Sequence, residues 1–147
     1  MPHALFRVGE ATYAAPLTGL VEVIAPPAVS PVPDAPDWLV GLANVRGEVT
    51  SVLDLRAASG LGPRPGGPQS VLVARTPDGA TVAGLLADRV VGVRRLRVDP
   101  VAGGGDLEWG RVGEFVAGLT EDGGELFPVL DLARVLTSPS LLAFASV

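Results

Sequence analysis

Short apolar segments separated by turn residues run along most of the chain. Residues 4–8 and 11–15 flank a Gly-Glu pair and predict a first β-hairpin. Residues 70–76 and 81–87 flank a Pro-Asp-Gly turn and predict a second hairpin, whose almost wholly apolar strands should be covered on both faces. About six to ten such strands, without a long amphipathic helix, predict an all-β fold.

The segment after the first hairpin is less regular. Residues 17–24 fit either a helical turn or a strand, and we interpret them as one turn followed by a strand. Five prolines within residues 25–37 predict an extended run over the surface. A single helical turn over residues 34–40 is then expected to dock Trp38 and Leu39 into the core.

One stretch of fifteen residues appears twice. Residues 41–55 return at 118–132, a shift of 77 residues, with eight identical positions and no gap. The identical pairs are Gly41/Gly118, Leu42/Leu119, Gly47/Gly124, Glu48/Glu125, Val52/Val129, Leu53/Leu130, Asp54/Asp131 and Leu55/Leu132. Each copy predicts a glycine turn, a strand and a short helix whose first turn Asp54 or Asp131 caps as a hydrogen-bond acceptor. The repeat indicates two similar small barrels, with the boundary in the Gly/Pro-rich loop of residues 59–69.

Composition narrows the class of protein. The 147 residues suit one domain, or two small halves that share a core. The net charge of −5 argues against a nucleic-acid partner, because such binding depends largely on neutralising phosphates. Cysteine is absent, which rules out disulfides. Without a signal peptide or an apolar run of roughly 20 residues, we expect a cytoplasmic protein.

No catalytic apparatus is visible in the sequence. It has no Gly-x-Ser-x-Gly elbow and no serine–histidine pairing, and the three glycines at 103–105, within an expected loop of residues 99–113, lack the following Lys-Ser/Thr of a phosphate loop. His3, the single histidine, lies near a terminus expected to fray, and we interpret it as solvated. We therefore expect no enzyme activity, no cofactor and no metal site.

Charged residues supply the candidates for partner binding. On a Gly-flanked turn, the guanidinium of Arg46 can bond a partner's carboxylate or carbonyl groups. The alternative is a structural ion pair with Glu22 or Glu48 inside the fold. Glu22 stands alone among apolar neighbours, and a half-exposed strand is expected to present it outward.

A further strand is predicted over residues 90–98, and four arginines lie within it or next to it. Arg89 precedes it, and Arg94, Arg95 and Arg97 lie within it. They form either a basic patch or an edge strand protected against aggregation. Aromatic residues do not alternate with them, as stacking on single-stranded nucleic acid requires.

At this point the motifs resemble a known family, the CheW-like domain of bacterial chemotaxis. The central match is Gly-Leu-Ala-Asn-Val-Arg-Gly at 41–47, followed by Val-Leu-Asp-Leu-Arg at 52–56. Further matching segments, in order along the chain, are 6–8, 13–16, 21–24, 33–41, 84–90, 115–119 and 129–132. The resemblance covers nearly the whole chain and implies two five-stranded SH3-like β-barrels, in agreement with the repeat.

The resemblance also implies a function. Domains of this kind are non-enzymatic adaptors that couple methyl-accepting chemoreceptors, through the tip of their cytoplasmic helical hairpin, to the regulatory domain of a CheA-type histidine kinase. The receptor-facing groove is expected to involve Leu20, Glu22, Asn44, Arg46, Gly47, Val90 and Val93. Service in type IV pilus signalling or another kinase pathway stays open.

Some positions depart from the family pattern, and other functions stay possible. Arg89 stands where a small residue is common, beside the expected groove at Val90, and is a candidate for altered receptor choice. The first alternative function is a double barrel that binds a small ligand or peptide in the groove, without a kinase. An enzyme is the second alternative, and it would need an activity dependent on a carboxylate such as Asp54 or Asp88.

Overall fold

A computed structural model of the chain describes residues 1–61, 69–100 and 113–137. The strands are β1 (Pro2–Val8), β2 (Ala11–Pro16), β3 (Leu20–Ile24), β4 (Val29–Ser30), β5 (Leu39–Val45), β6 (Glu48–Asp54), β7 (Ser70–Arg75), β8 (Val82–Ala87), β9 (Arg89–Arg95), β10 (Asp99–Pro100), β11 (Val116–Asp122) and β12 (Glu125–Leu130). The helices are α1 (Leu55–Ala58) and α2 (Leu132–Leu136), with 3-10 turns at Leu17–Gly19 and 113–115. Within these ranges no helix approaches the length of a membrane-spanning helix.

Two sheets with the same strand arrangement make up the fold. The first sheet has the order β3-β7-β8-β6-β5-β4, and the second has the order β9-β1-β2-β12-β11-β10. Each sheet contains one parallel pair at the corresponding place, β6 with β8 and β12 with β2. Apart from the two-residue strands β4 and β10, each sheet has five main strands. The predicted all-β fold with two small barrels is confirmed.

The chain does not divide between the sheets at its middle. The first sheet uses the continuous run β3 to β8, whereas the second combines β9 to β12 with the N-terminal hairpin β1–β2. The strands on either side of the 59–69 loop lie in one sheet, so the chain does not cross to the other sheet at the predicted boundary. It crosses after β2 and after β8. The cause is the pairing of β2 with β12, where Ala14 lies opposite Val129, a contact that no local pattern reveals.

The two sheets share one hydrophobic core. This central cluster takes Phe6, Tyr13 and Leu130 from the second sheet and Leu72 and Leu85 from the first. The rings of Phe6 and Tyr13 stack with centroids 6.0 Å apart. Smaller apolar clusters lie within each sheet. Because the main cluster spans both sheets, their edges are held in a fixed relation to each other.

Both helix caps form as predicted. The side chain of Asp54 accepts a hydrogen bond from the backbone N–H of Arg56, at 2.9 Å. The side chain of Asp131 accepts one from the N–H of Arg134, at 3.2 Å. Each aspartate satisfies a backbone donor that the short helix leaves free at its start.

The predicted helical turn over 34–40 is wrong. Residues there form separate turns, with the N–H of Leu39 donating to the carbonyl of Pro36 at 3.1 Å, and β5 begins at Leu39. Pairing of Leu39 with Leu53 on β6 extends the strand backwards and prevents a helix. Trp38 and Leu39 are nevertheless buried, as predicted. The predicted strand over 90–98 is present as β9, which ends at Arg95.

The interpretation of His3 as a solvated residue is also wrong. His3 is 3% exposed, because β1 lies between β2 and β9, with Pro16 and Arg94 as the paired residues. Its Nδ1 lies 2.9 Å from the carbonyl oxygen of Met1. Of the expected loop over residues 99–113, Asp99–Pro100 form β10, 101–112 lie outside the described residues and residue 113 begins the second 3-10 turn; the end of the chain from 138 also lies outside.

Candidate partner-binding surface

The turn between β5 and β6 holds Arg46 in an unfavourable backbone conformation. Val45 pairs with Glu48, which leaves Arg46 and Gly47 as a two-residue hairpin loop with φ values of 54° and 83°. Positive φ at both positions is what a type I′ turn requires. For residues other than glycine this region is strained. The amide oxygen of Asn44 supports the turn by accepting a hydrogen bond from the N–H of Gly47, at 2.9 Å.

Arg46 forms a two-pronged ion pair with Glu22 on β3. Its Nε donates to Oε1 and its Nη2 donates to Oε2, both at 3.0 Å. In the sheet, β7 and β8 lie between β3 and β6, so the pair joins elements that meet only because the sheet curls. Glu48, the other possible partner of Arg46, pairs instead with Arg75 on β7.

This ion pair is open to solvent on the arginine side. The side chain of Arg46 is 75% exposed and that of Glu22 is 26% exposed. A guanidinium has five N–H donors, and the pair with Glu22 uses two of them. The hydrogen bonds and charge of Arg46 lower the pKa of the Glu22 carboxyl from its ordinary value. Arg46 is thus held in place by Glu22 while much of its donor capacity faces outward.

The remaining predicted receptor-binding residues lie on two edge strands. Leu20 is on β3, the edge of the first sheet, while Val90 and Val93 are on β9, the edge of the second. Leu20 and Val90 are half-buried, and both pack against the shared central core. Val93 is 54% exposed. The structure therefore brings Glu22 to Arg46 and Leu20 to the core that holds Val90, while Asn44 and Gly47 bond to each other within their turn.

Sequence reasoning misjudged which residues of β3 point outward. Val21 and Val23 are exposed, whereas Leu20, Glu22 and Ile24 are half-buried. Alternation along a strand separates its residues into two faces, but it does not say which face meets solvent. The prediction for Glu22 was therefore only partly right. Its carboxylate reaches the surface because it turns towards Arg46.

The two hairpins of the repeat expose one apolar residue each, a feature that sequence reasoning missed. Val49 on β6 is 69% exposed and Leu126 on β12 is 65% exposed. A shift of 77 residues relates the two positions. Exposed large apolar side chains at equivalent places mark both hairpin tips as candidate contact surfaces. Comparing the two copies of the repeat residue by residue would have paired them.

A cleft of about 370 Å³ opens elsewhere, between the two sheets. Its lining includes His3 and Pro16 of the second sheet, Arg75 of the first, and Leu132 and Leu136 of α2. None of the predicted receptor-binding residues lines it. The cleft therefore lies apart from the predicted receptor-binding residues.

The carboxylates that an enzyme would require have structural contacts. Asp54 caps α1, and one oxygen of Asp88 accepts a hydrogen bond from the N–H of Gly9 at 2.6 Å. Arg56 lies 3.8 Å from the same carboxylate. In the part of the chain that the structure describes, no three His, Cys, Asp or Glu side chains cluster as metal ligands.

Comparison with known proteins assigns the family. The family model described as "CheW-like domain" matches residues 2–140. The chain is 32% identical to Protein FrzA of Myxococcus xanthus over 145 residues, which are 95% of this chain and 88% of that protein. It is 29% identical to Chemotaxis protein CheW of Thermotoga maritima over 133 residues, covering 89% of this chain and 84% of that protein.

A solved structure gives the same answer for the fold. The scaffolding protein TtCheW from Thermoanaerobacter tengcongensis superposes with a TM-score of 0.79 and covers 95% of this chain and 94% of its own, at 20% sequence identity. This likeness confirms the two SH3-like β-barrels implied by the sequence resemblance. On the family match and the identity with these relatives, the chain belongs to the CheW-like domain family of chemotaxis-type signalling scaffolds.

Proposed function

We propose that this protein is a non-enzymatic adaptor that couples the cytoplasmic tips of chemoreceptors to the regulatory domain of a CheA-type histidine kinase. The family match over residues 2–140 carries the proposal. In this role the protein acts in the cytoplasm within receptor arrays and binds its two partners at separate surfaces. Receptor state then changes kinase activity through contacts alone.

The receptor is proposed to bind across the two edge strands and the Arg46 turn. Leu20 and Val90 supply apolar surface beside the shared core, and Val93 extends that surface along β9. Arg46 adds a fixed guanidinium with donors facing solvent. Apolar surface with a few oriented charges suits the apolar stripe of a helix, which the receptor hairpin provides.

The strain at Arg46 supports a binding role for its side chain. A residue other than glycine at positive φ raises the energy of the folded state, and such residues concentrate at functional sites. The pair with Glu22 orients the guanidinium without burying it, so its charge reaches a partner. For the kinase, the exposed Leu126 makes the tip of the β11–β12 hairpin, which lacks Arg46, the proposed docking region.

The alternative is a double barrel that binds a small ligand or peptide without a kinase. The cleft of about 370 Å³ between the sheets favours this alternative, since its volume falls in the range of small-molecule sites. Saturable binding of a metabolite or peptide, with no association with any CheA-type kinase, would support it over the adaptor.

Calorimetric titration tests the adaptor directly. The protein is titrated with the regulatory domain of a CheA-type kinase from the same genome, with and without a receptor-tip fragment. We expect it to bind each partner and all three to assemble together. Failure to bind any such kinase would contradict the adaptor function and leave the ligand-binding alternative.

Two variants separate contact by Arg46 from structural support. We expect Arg46→Glu to weaken receptor binding on the order of thirtyfold, because the reversed charge faces the partner. The matched control exchanges both residues, Glu22→Arg with Arg46→Glu, which allows the ion pair to re-form with its charges reversed. Receptor binding restored in this double variant would show that the ion pair acts by shaping the fold. Binding that stays weak indicates direct contact by the charged pair, through Arg46, Glu22 or both.

A further inference from the structure

The edge strand β9 carries three exposed arginines, two of which have no acidic partner in the part of the chain that the structure describes. Arg89, Arg94 and Arg95 are all exposed on it. Arg94 approaches Asp122 at 3.9 Å, whereas Arg89 and Arg95 have no ion-pair or side-chain hydrogen-bond partner among the described residues. The whole chain has a net charge of −5, so this strand is a local exception.

The pairing of β9 with β1 separates these arginines onto two faces. Arg95, Val93 and Val90 lie opposite Pro2, Ala4 and Phe6, which alternate along β1 and therefore share one face. Arg89 and Arg94 lie opposite Arg7 and His3, on the other face. An irregularity between Leu5 and Phe6 leaves Val91 without a paired residue, which allows Val90 and Val93 to share a face.

This register changes which arginine belongs to the receptor surface. From sequence, Arg89 was the candidate for altered receptor choice, because it adjoins Val90. The structure places Arg89 and Val90 on opposite faces of β9. Arg95 instead continues the line formed by Val90 and Val93, the two residues of β9 predicted to contact the receptor.

We propose that Arg95 determines receptor specificity, by selecting helices that carry a carboxylate about one turn from the apolar residue that meets Val93. This inference rests on the proposed adaptor function. Two residues of strand span about 7 Å, close to the rise of one to one and a half helical turns. A helix lying along β9 therefore brings a carboxylate at that spacing to the exposed guanidinium of Arg95, where charge attraction favours it over a neutral residue.

The geometry favours a helix over an added strand. The outer edge of β9 has unpaired backbone groups in the described part of the second sheet, and an extended chain could in principle pair with them. Charged residues along an edge oppose such pairing.

Protection of the edge is therefore the competing explanation of these arginines, and it predicts that their loss increases self-association without changing receptor affinity.

A matched pair of substitutions on one strand tests the inference. Arg95→Gln removes charge from the face shared with Val90 and Val93, while Arg89→Gln removes the same charge from the opposite face. Both are titrated with the cytoplasmic-tip hairpin of a chemoreceptor from the same genome at low salt. We expect Arg95→Gln to lower the affinity about two- to fivefold and Arg89→Gln to leave it unchanged.

The receptor side of the contact is tested in the same assay. Each carboxylate beside the apolar stripe of the receptor hairpin is changed to the amide in turn. We expect one change to lower the affinity of the wild-type protein and to have no further effect on Arg95→Gln. In about 0.5 M salt the difference between wild type and Arg95→Gln should shrink, because the contact is exposed.

Several outcomes would overturn the inference, and they differ from failure of the adaptor function. Equal loss of affinity in both variants would indicate general electrostatic attraction. Increased self-association with unchanged affinity would indicate edge protection alone. In either case the wild-type protein still binds the receptor hairpin, and Arg46→Glu still lowers its affinity for that hairpin. If the hairpin fails to bind wild type, the adaptor function itself is contradicted, and this inference with it.

Discussion

The two hairpin turns of the repeat have the same backbone conformation but differ in the residue at their first position, which is Arg46 in one and Gly123 in the other. Gly123 and Gly124 have φ values of 60° and 83°, against 54° and 83° for Arg46 and Gly47. Glycine adopts this conformation without steric cost, and arginine does not. The second turn is therefore relaxed where the first is strained, at positions related by the same shift of 77 residues.

The difference between the two turns indicates that Arg46 has a role other than forming the turn. A turn of this geometry forms with two glycines, so the backbone of the first turn does not require the Arg46 side chain. The first turn gains an oriented cation paired with Glu22, whereas residues around the second turn are acidic, at Glu121, Asp122 and Glu125. Strained residues cluster at functional sites, so Arg46, which is strained where its counterpart Gly123 is not, is a candidate functional residue.

The largest predicted effect tests what the two hairpins share. A Cβ atom on Gly41 would lie 2.2 Å from the carbonyl oxygen of Ser30, and one on Gly118 would lie 2.5 Å from that of Asp99. Both glycines allow a two-residue edge strand to approach closely. We expect Gly41→Ala and Gly118→Ala each to lower the free energy of unfolding by about 2–3 kcal/mol, as overpacking does. The loss should be larger at Gly41, whose φ is 150°.

Urea denaturation measures both losses. The control is Gly124→Ala, where the added Cβ meets nothing within 4 Å and the positive φ alone costs about 1 kcal/mol. A control as unstable as Gly41→Ala would show that backbone conformation, and not close approach of the edge strand, accounts for the effect.

A smaller effect is expected at the helix caps that end each repeat. Asp54→Ala and Asp131→Ala each leave a backbone N–H without its acceptor, and we expect each to lower the free energy of unfolding by about 1 kcal/mol. Asp→Asn keeps an acceptor and should retain most of the stability. Unchanged unfolding midpoints in both alanine variants would contradict the capping roles, whereas a loss at one position alone would show that the repeats differ here as well.

The smallest expected effect is on the pH dependence of stability, and it arises from the ion pair between Glu22 and Arg46 of the first turn. Hydrogen bonds from Arg46 lower the pKa of Glu22 from its ordinary value of 4.5 in the folded protein. The folded state therefore prefers the ionised carboxyl, and this stabilisation is complete above pH 4.5 and is lost as pH falls through the lowered value. Thermal unfolding between pH 7 and 3 should show a slightly smaller acid loss of stability in Glu22→Gln than in wild type. Because the pair is exposed, the difference should be slight, and parallel curves would contradict the shift.

Local features of the fold could be predicted from sequence. The hairpins and the caps at Asp54 and Asp131 depend on residues close together along the chain, and their patterns were sufficient. The predicted turn followed by a strand over residues 17–24 is likewise confirmed. The motifs also identified the family, because their order along the chain is itself information.

Features set by distant pairing could not be predicted. His3 is buried because β9, some ninety residues later, covers its strand. The sheet boundary depends on the pairing of β2 with β12, and the face that β9 presents depends on an irregularity opposite Phe6. Adjacency to Val90 in the sequence points to Arg89, whereas the register of β9 with β1 places Arg95 on the face that Val90 and Val93 share. The receptor-binding role of the whole set stays a prediction.

One substitution tests the central claim that Arg46 is kept for binding and not for stability. Arg46→Gly converts the first turn into the glycine pair of the second. We expect its unfolding midpoint in urea to be unchanged or raised, because backbone strain is removed, while affinity for the receptor-tip hairpin falls at least about tenfold and affinity for the kinase regulatory domain is unchanged. A lowered midpoint with unchanged receptor affinity would contradict the claim and make Arg46 a structural residue that holds Glu22.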